Sequence, residues 1–285
     1  MKKLLVLTLA IISAFPAFAA EKKRVIVCTV TTGFRHSSIP HAEKTLAKLA
    51  EESGVYEIVD IAQQPVKGAA DGASVEDQMK ASMAKLDPAN LKAKKIDLVI
   101  FANTTGDLPL PDKAGFIKWI EEGGNFAAMH SGSDTLHGFR PFIDMLQGEF
   151  AGHGAQVPAD LVAGDTKHPA NAGIGAKWDI KLEEMYLIKS QDRAKTRALW
   201  YLNHHPNKAD NAGFFPVSWS RMAGKGRVFY TSLGHREDLW SDDPGLKGRV
   251  NSVEIAKQYQ AHILGGIKWA LGLAEGSAEA NPDAK

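Results

Sequence analysis

Residues 24–50 read RVIVCTVTTGFRHSSIPHAEKTLAKLA. Arg24 to Thr31 is a β-branched apolar run, too continuous for a strand with one wet face and typical of a buried parallel strand. A polar loop, Thr32 to Ser38, follows it. Apolar residues then recur at Ile39, Ala42, Leu46, Leu49 and Ala50, with Pro40 in the first turn, so the loop leads into a helix. The same alternation continues. Tyr56 to Ile61 reads as a second strand, and Lys67 to Lys95 has helical character broken by Pro88. Ile96 to Ala102 is a third buried strand. Lys113 to Glu122 is helical and stops at Gly123-Gly124. Phe126 to Met129 is a fourth strand that runs straight into His130-Ser131-Gly132. Strands and helices at this spacing predict a parallel sheet with right-handed crossovers and helices on both faces.

The second half is less regular. Strands are expected at Asp160–Ala163, Met185–Ser190, Arg197–Leu202, Phe215–Ser220 and Arg227–Ser232, the last two joined by a turn at Gly224-Lys225-Gly226. A long helix is expected over Val253 to Leu271, and the small polar tail from Glu275 to Lys285 is expected to fray. No repeat or linker divides the chain. One domain is expected over residues 20–274, followed by a flexible tail over 275–285.

The chain has 285 residues, 44% hydrophobic and 24% charged, with 34 Lys+Arg against 33 Asp+Glu and a net charge of +1. That balance excludes a disordered chain and argues against a nucleic-acid partner. Ten histidines stand beside one cysteine, which excludes a disulfide framework and any cysteine-based zinc cluster. Lys2 and Lys3, the apolar run Leu4 to Phe15 and Ala17-Phe18-Ala19 form an n-region, an h-region and an A-x-A site. Residues 1–19 are therefore expected to be a cleaved signal peptide, and the mature protein to be periplasmic or secreted. The run is too short for a membrane span, and no cysteine follows it to carry a lipid, so no membrane anchor is expected after cleavage.

In an open parallel sheet, ligands gather at the carboxyl ends of the strands. Those positions here hold Gly33-Phe34-Arg35-His36, Asn103 to Asp107, His130 to Asp134, and Gly234-His235-Arg236-Glu237. Three histidines at independent strand ends point to a site. No phosphate-binding glycine motif accompanies the first strand. The string Met129-His130-Ser131-Gly132-Ser133 lacks the glycines of a nucleophile elbow, so a serine-hydrolase triad is disfavoured.

From Val25 to about Leu271 the chain resembles the trehalose-utilisation, or ThuA-like, family. The resemblance is carried by Thr32-Gly33-Phe34-Arg35-His36, Gly123 to Ser131, Gly148-Glu149-Phe150-Ala151-Gly152-His153, His168-Pro169 with Glu183-Glu184-Met185-Tyr186, and Pro216 to His235. It implies a single-domain, three-layer αβα sandwich with a mainly parallel sheet, the glutamine amidotransferase-like (flavodoxin-like) fold. It also implies a role in handling glucosides or other sugars, including keto forms. Amidotransfer itself is excluded, because it needs a cysteine at the strand-to-helix elbow. His130-Ser131 stand there, and Cys28 lies inside the first strand. The chain departs from the family pattern at Glu183, where aspartate is usual, and at Gly154, where proline is common.

Three functional expectations follow. The first is an enzyme of hydrolase or lyase type acting on a sugar or glycoside by His/Glu acid–base chemistry. His130, His153, Glu184 and His235 are the catalytic candidates. Phe34, Arg35, His36, Ser131 and Tyr186 are the substrate-binding candidates, with Trp240 as a further apolar wall and Trp219 read rather as core packing. Glu183 and Glu184 are sequential and cannot both flank one glycosidic bond. The second is a divalent metal such as zinc, with His130, His153, His235 and Glu184 as the ligand set. The adjacent His204 and His205 read as surface residues, and Asp238 and Asp242-Asp243 as turn formers. The third is a non-catalytic carbohydrate-binding or accessory protein, whose partner is the same small sugar.

Overall fold

The computed structural model describes residues 21–68, 71–208 and 212–284, so the expected signal peptide lies outside the described residues. The first half builds β1 (Lys23–Cys28), α1 (Ile39–Ser53), β2 (Tyr56–Ala62), α2 (Val75–Ala84), α3 (Pro88–Ala93), β3 (Leu98–Ala102), α4 (Lys113–Glu121) and β4 (Asn125–Met129). A 3-10 turn over His130–Asp134 and α5 (Arg140–Leu146) follow. The second half contains β5 (Glu149–His153), β6 (Val157–Ala163), β7 (Lys177–Glu183), β8 (Tyr186–Lys189), β9 (Arg197–His204), β10 (Ala212–Ala223), β11 (Gly226–Thr231), α6 (Glu237–Trp240) and α7 (Val253–Ala270).

Nine strands form one sheet in the order β2-β1-β3-β4-β11-β10-β9-β6-β7. β2, β1, β3, β4 and β11 pair in parallel, and the remaining ladders are antiparallel. Seven of the nine strands consequently run in one direction, with only β10 and β6 against them. β5 and β8 make a separate two-stranded antiparallel sheet. β5 and β7 lie outside the strands expected from sequence. KWDIKLE of β7 buries only Trp178, Ile180 and Glu183 and leaves most of the residues between them exposed, so it is no continuous apolar run.

The parallel strands read as unbroken apolar runs because both faces are covered. Val25, Val27, Leu98, Ile100, Ala127, Met129 and Phe229 join Leu46 and Leu49 of α1 and Ile263 and Ile267 of α7 in one buried cluster. Their neighbours Ile26, Cys28, Val99, Phe101, Phe126, Ala128 and Tyr230 join Met83, Leu91, Phe116 and Phe142 in a second. Alternate residues of each strand thus feed opposite cores. Gly54 ends α1 in the left-handed region at φ 65°, donating its N–H to the Ala50 carbonyl.

Gly265 and Gly266 let α7 seat closely. A Cβ on Gly265 would stand 2.2 Å from the Pro169 carbonyl oxygen, and one on Gly266 2.4 Å from the Phe229 ring. Gly265→Ala is expected to destabilise by about 1–3 kcal/mol in chemical denaturation, because backbone–backbone overpacking outweighs alanine's better helix propensity. An unchanged midpoint would show that this contact does not limit packing.

The tail expected to fray from residue 275 is held by several hydrogen bonds. Asn281 Oδ1 accepts from the Ala198 N–H at 2.6 Å, its Nδ2 donates to the Gly164 carbonyl at 3.0 Å, and Trp269 Nε1 donates to the Gly276 carbonyl at 2.9 Å. His205, expected at the surface, is buried. The His205 ring packs edge-on to Phe215, with centroids 5.2 Å apart, and burial pulls its pKa down.

Candidate functional site

The strand ends converge as the topology requires. The loop after β1 delivers His36, the 3-10 turn after β4 delivers His130, and the loop after β11 delivers His235. Glu184 joins them from the link between β7 and β8. These four side chains each offer one donor atom within 4.8 Å of one another. His130 takes φ 51°, a left-handed conformation that costs a non-glycine residue energy and turns its ring at the strand end.

His130 is fully buried and organises the cluster. Its Nδ1–H donates to the Ser232 carbonyl at 2.9 Å, which leaves the Nε2 lone pair facing the site. Three groups crowd that lone pair: the Tyr186 hydroxyl at 2.8 Å, His36 Nε2 at 3.1 Å and Glu184 Oε2 at 3.6 Å. Ser131 Oγ lies 3.3 Å from His36 Nδ1. Glu184 divides its two oxygens, Oε2 lying 3.1 Å from His235 Nδ1 and Oε1 lying 3.0 Å from His153 Nδ1.

Charge is distributed unevenly. Burial, then the positive charge His235 can carry, pushes His36 down to about 4, and burial holds His130 well below its ordinary value. Burial also opposes protonation of His235, but Glu184 and Glu183 outweigh it and raise its pKa. The site therefore sets two imidazoles whose pKa is lowered beside a histidine whose pKa is raised, the separation that acid–base chemistry needs.

Glu183, which sequence reading left without a role, points the other way along the extended chain. Fully buried, its carboxylate accepts from the backbone N–H groups of Gly234, His235 and Arg236 at 3.3, 2.7 and 3.3 Å. It clamps the loop that presents His235, and burial raises its pKa to about 7. The repeated carboxylate itself was the available signal, since sequential residues serve opposite sides of an extended segment.

Other candidates fall differently. His153 is exposed at the end of β5, its Nδ1 lying 2.8 Å from the Gly154 carbonyl and 3.0 Å from only the outer oxygen of Glu184, so the four-residue cluster contains His36 in its place. Phe34 is 68% exposed, with its ring edge-on to His36 at 4.9 Å between centroids. The Arg35 guanidinium donates to the Thr29 carbonyl at 3.1 Å, and no polar contact joins it to the cluster among the described residues. Trp219 and Trp240 are fully buried and line no wall. Their indole N–H groups donate to the carbonyls of Leu146 and Gly234, both at 2.8 Å, so Trp240 supports the His235 loop from behind.

These buried groups predict acid lability. His168 and His262 lie elsewhere in the core, and burial pushes both down to about 4. The unfolded chain takes up their protons near pH 6.5 and the folded chain only near pH 4, so the stability present above pH 6.5 is lost as pH falls through that window. For His262 alone the ceiling is roughly 3 kcal/mol. Glu183, between its unfolded value of 4.5 and about 7, and the raised His235 and His137 act in the opposite sense, but five histidines among the described residues, His36, His130, His168, His205 and His262, are lowered. The thermal midpoint is expected to fall steadily from pH 6.5 to pH 4, and a flat profile would contradict this balance.

Comparison with known proteins agrees with this architecture. A ThuA-like protein from Parabacteroides merdae superposes with a TM-score of 0.65 at 18% identity, covering 93% of this chain and 99% of that one. A ThuA-like protein from Bacteroides uniformis gives 0.60 at 16% identity, covering 90% and 95%. At these identities the likeness is one of fold. No curated protein matches the chain. The sequence pattern of the ThuA family, described as trehalose utilisation, matches residues 24–270, and the chain belongs to that family.

Proposed function

We propose that the chain is an exported carbohydrate-active enzyme of hydrolase or lyase type, acting on a sugar or glycoside, including keto-glycosides, by His/Glu proton transfer. The observation that carries this reading is Glu184 held between His153 and His235 with His130 Nε2 3.6 Å away, at the carboxyl ends of the parallel strands. His235 supplies the proton, and neutral His130 or His36 receives one. Phe34 offers an exposed ring on which a pyranose face can rest. Export rests on residues 1–19. The finer fold assignment, a three-layer αβα sandwich of the glutamine amidotransferase type, draws support from the two buried clusters on opposite sides of the sheet residues.

The test is a panel of glucosides and their keto derivatives, incubated with purified protein and followed by product analysis. At least one member is expected to be cleaved or eliminated. A calorimetric binding signal with every sugar unchanged would replace the enzyme by a carbohydrate-binding or accessory protein.

A further inference from the structure

We propose that His36, His130, Glu184 and His235 together bind a divalent first-row transition metal ion. The hydrogen-bond donors and acceptors around His130 do not balance. His130 Nδ1–H is committed to the Ser232 carbonyl, so Nε2 carries one lone pair. Both the Tyr186 hydroxyl and His36 Nε2 crowd that single lone pair, and a carboxylate oxygen approaches it as well. One neutral acceptor cannot serve all three groups. A cation relieves the conflict, because it takes the lone pairs of His130, His36 and Glu184 at once.

The spacing agrees. Ligands bound at about 2.0–2.2 Å around a tetrahedral ion lie about 3.4 Å apart. His36–His130, His130–Glu184 and His235–Glu184 are separated by 3.1, 3.6 and 3.1 Å. His235 Nδ1 is also buried without a hydrogen-bond partner, despite its approach to Glu184.

The surroundings have the character of a supported metal site. The Ser232 carbonyl fixes the His130 tautomer, Ser131 Oγ can accept from His36 Nδ1–H, and His153 Nδ1, anchored on the Gly154 carbonyl at 2.8 Å, lies 3.0 Å from the outer oxygen of Glu184. Three imidazoles and one carboxylate suit zinc or a similar late first-row ion better than calcium or magnesium. His153 is then a positioning residue for Glu184, outside the coordinating set. The inference rests on the sugar-acting reading only for the use made of the metal, since coordination would take over part of the work given there to His130 and His235.

The test uses full-length protein freed of any His-tag and stripped of metal, titrated with Zn²⁺ and Co²⁺. One ion per chain is expected, with a visible Co²⁺ absorption band and a thermal midpoint that rises with zinc and falls back with chelator. His36→Ala and Glu184→Ala are expected to abolish saturable binding. His153→Ala should keep one ion per chain, with affinity reduced by no more than about a hundredfold. Sub-stoichiometric binding by the wild type overturns the site whatever the variants do. So does His36→Ala that binds normally, or His153→Ala that loses binding as fully as His36→Ala. A metal-stripped protein that still converts a sugar at the full rate overturns the metal and leaves the sugar reading standing. A bound metal with no sugar altered does the reverse.

Discussion

Replacing Asp238 with alanine is expected to destabilise the fold by about 3–5 kcal/mol, the range for stranding one partner of a buried charged network. Asp238 is 1% exposed. Its Oδ2 accepts from the N–H groups of Val250 and Asn251 at 2.6 and 3.0 Å, and its Oδ1 accepts from Asn251 Nδ2 and Arg236 Nε at 2.9 and 3.0 Å. Burial alone would raise its pKa, but Arg236 and these amides hold it below the ordinary carboxylate range. Alanine leaves these four donors, and a fifth, Arg236 Nη2 at 3.1 Å from Oδ2, without that acceptor. The damage spreads, because Asn251 also accepts from the Lys181 and Leu182 N–H groups of β7, the strand that ends in Glu183. A fall in thermal midpoint on the order of 10 °C is expected, measured by circular dichroism. A loss under about 1 kcal/mol would mean that water replaces the carboxylate freely.

Glu184→Gln should do the opposite, sparing the fold and removing activity. The amide keeps the shape of the carboxyl group but neither attracts the His235 proton nor takes one up. Turnover of an identified sugar should drop by about 10²–10⁴-fold, the usual contribution of one acid–base group, while stability stays within about 1 kcal/mol of wild type. Contact with Glu184 is the foremost effect raising the pKa of His235, so that pKa should fall in the variant, as read from the imidazole signals in an NMR titration. Unchanged turnover, or an unchanged His235 titration, would remove Glu184 from the centre of the account.

The parallel half of the fold was legible because burial on both faces writes continuous apolar strands such as Leu98–Ala102. The antiparallel half was not, since β7 buries one face and β5 is a short strand containing Gly152 at φ 148°. Strand-end logic found His36, His130 and His235, because their positions follow from topology alone. The division of labour among them escaped it. His36 and His130 meet across 94 residues, and nothing in the local sequence says that His153 reaches only the outer oxygen of Glu184. Asp238 and Glu183 were passed over for a related reason. An acidic residue near turn formers reads as solvated, whereas here the backbone amides of distant segments bury it.

The central claim is that the cluster around His130 acts chemically on a sugar. Its most direct test is NMR of glucosides and their keto derivatives during prolonged incubation with wild-type protein and with His130→Ala. At least one sugar is expected to be converted by the wild type and left intact by the variant. Conversion at equal rates by both proteins, or no conversion by either, would contradict it.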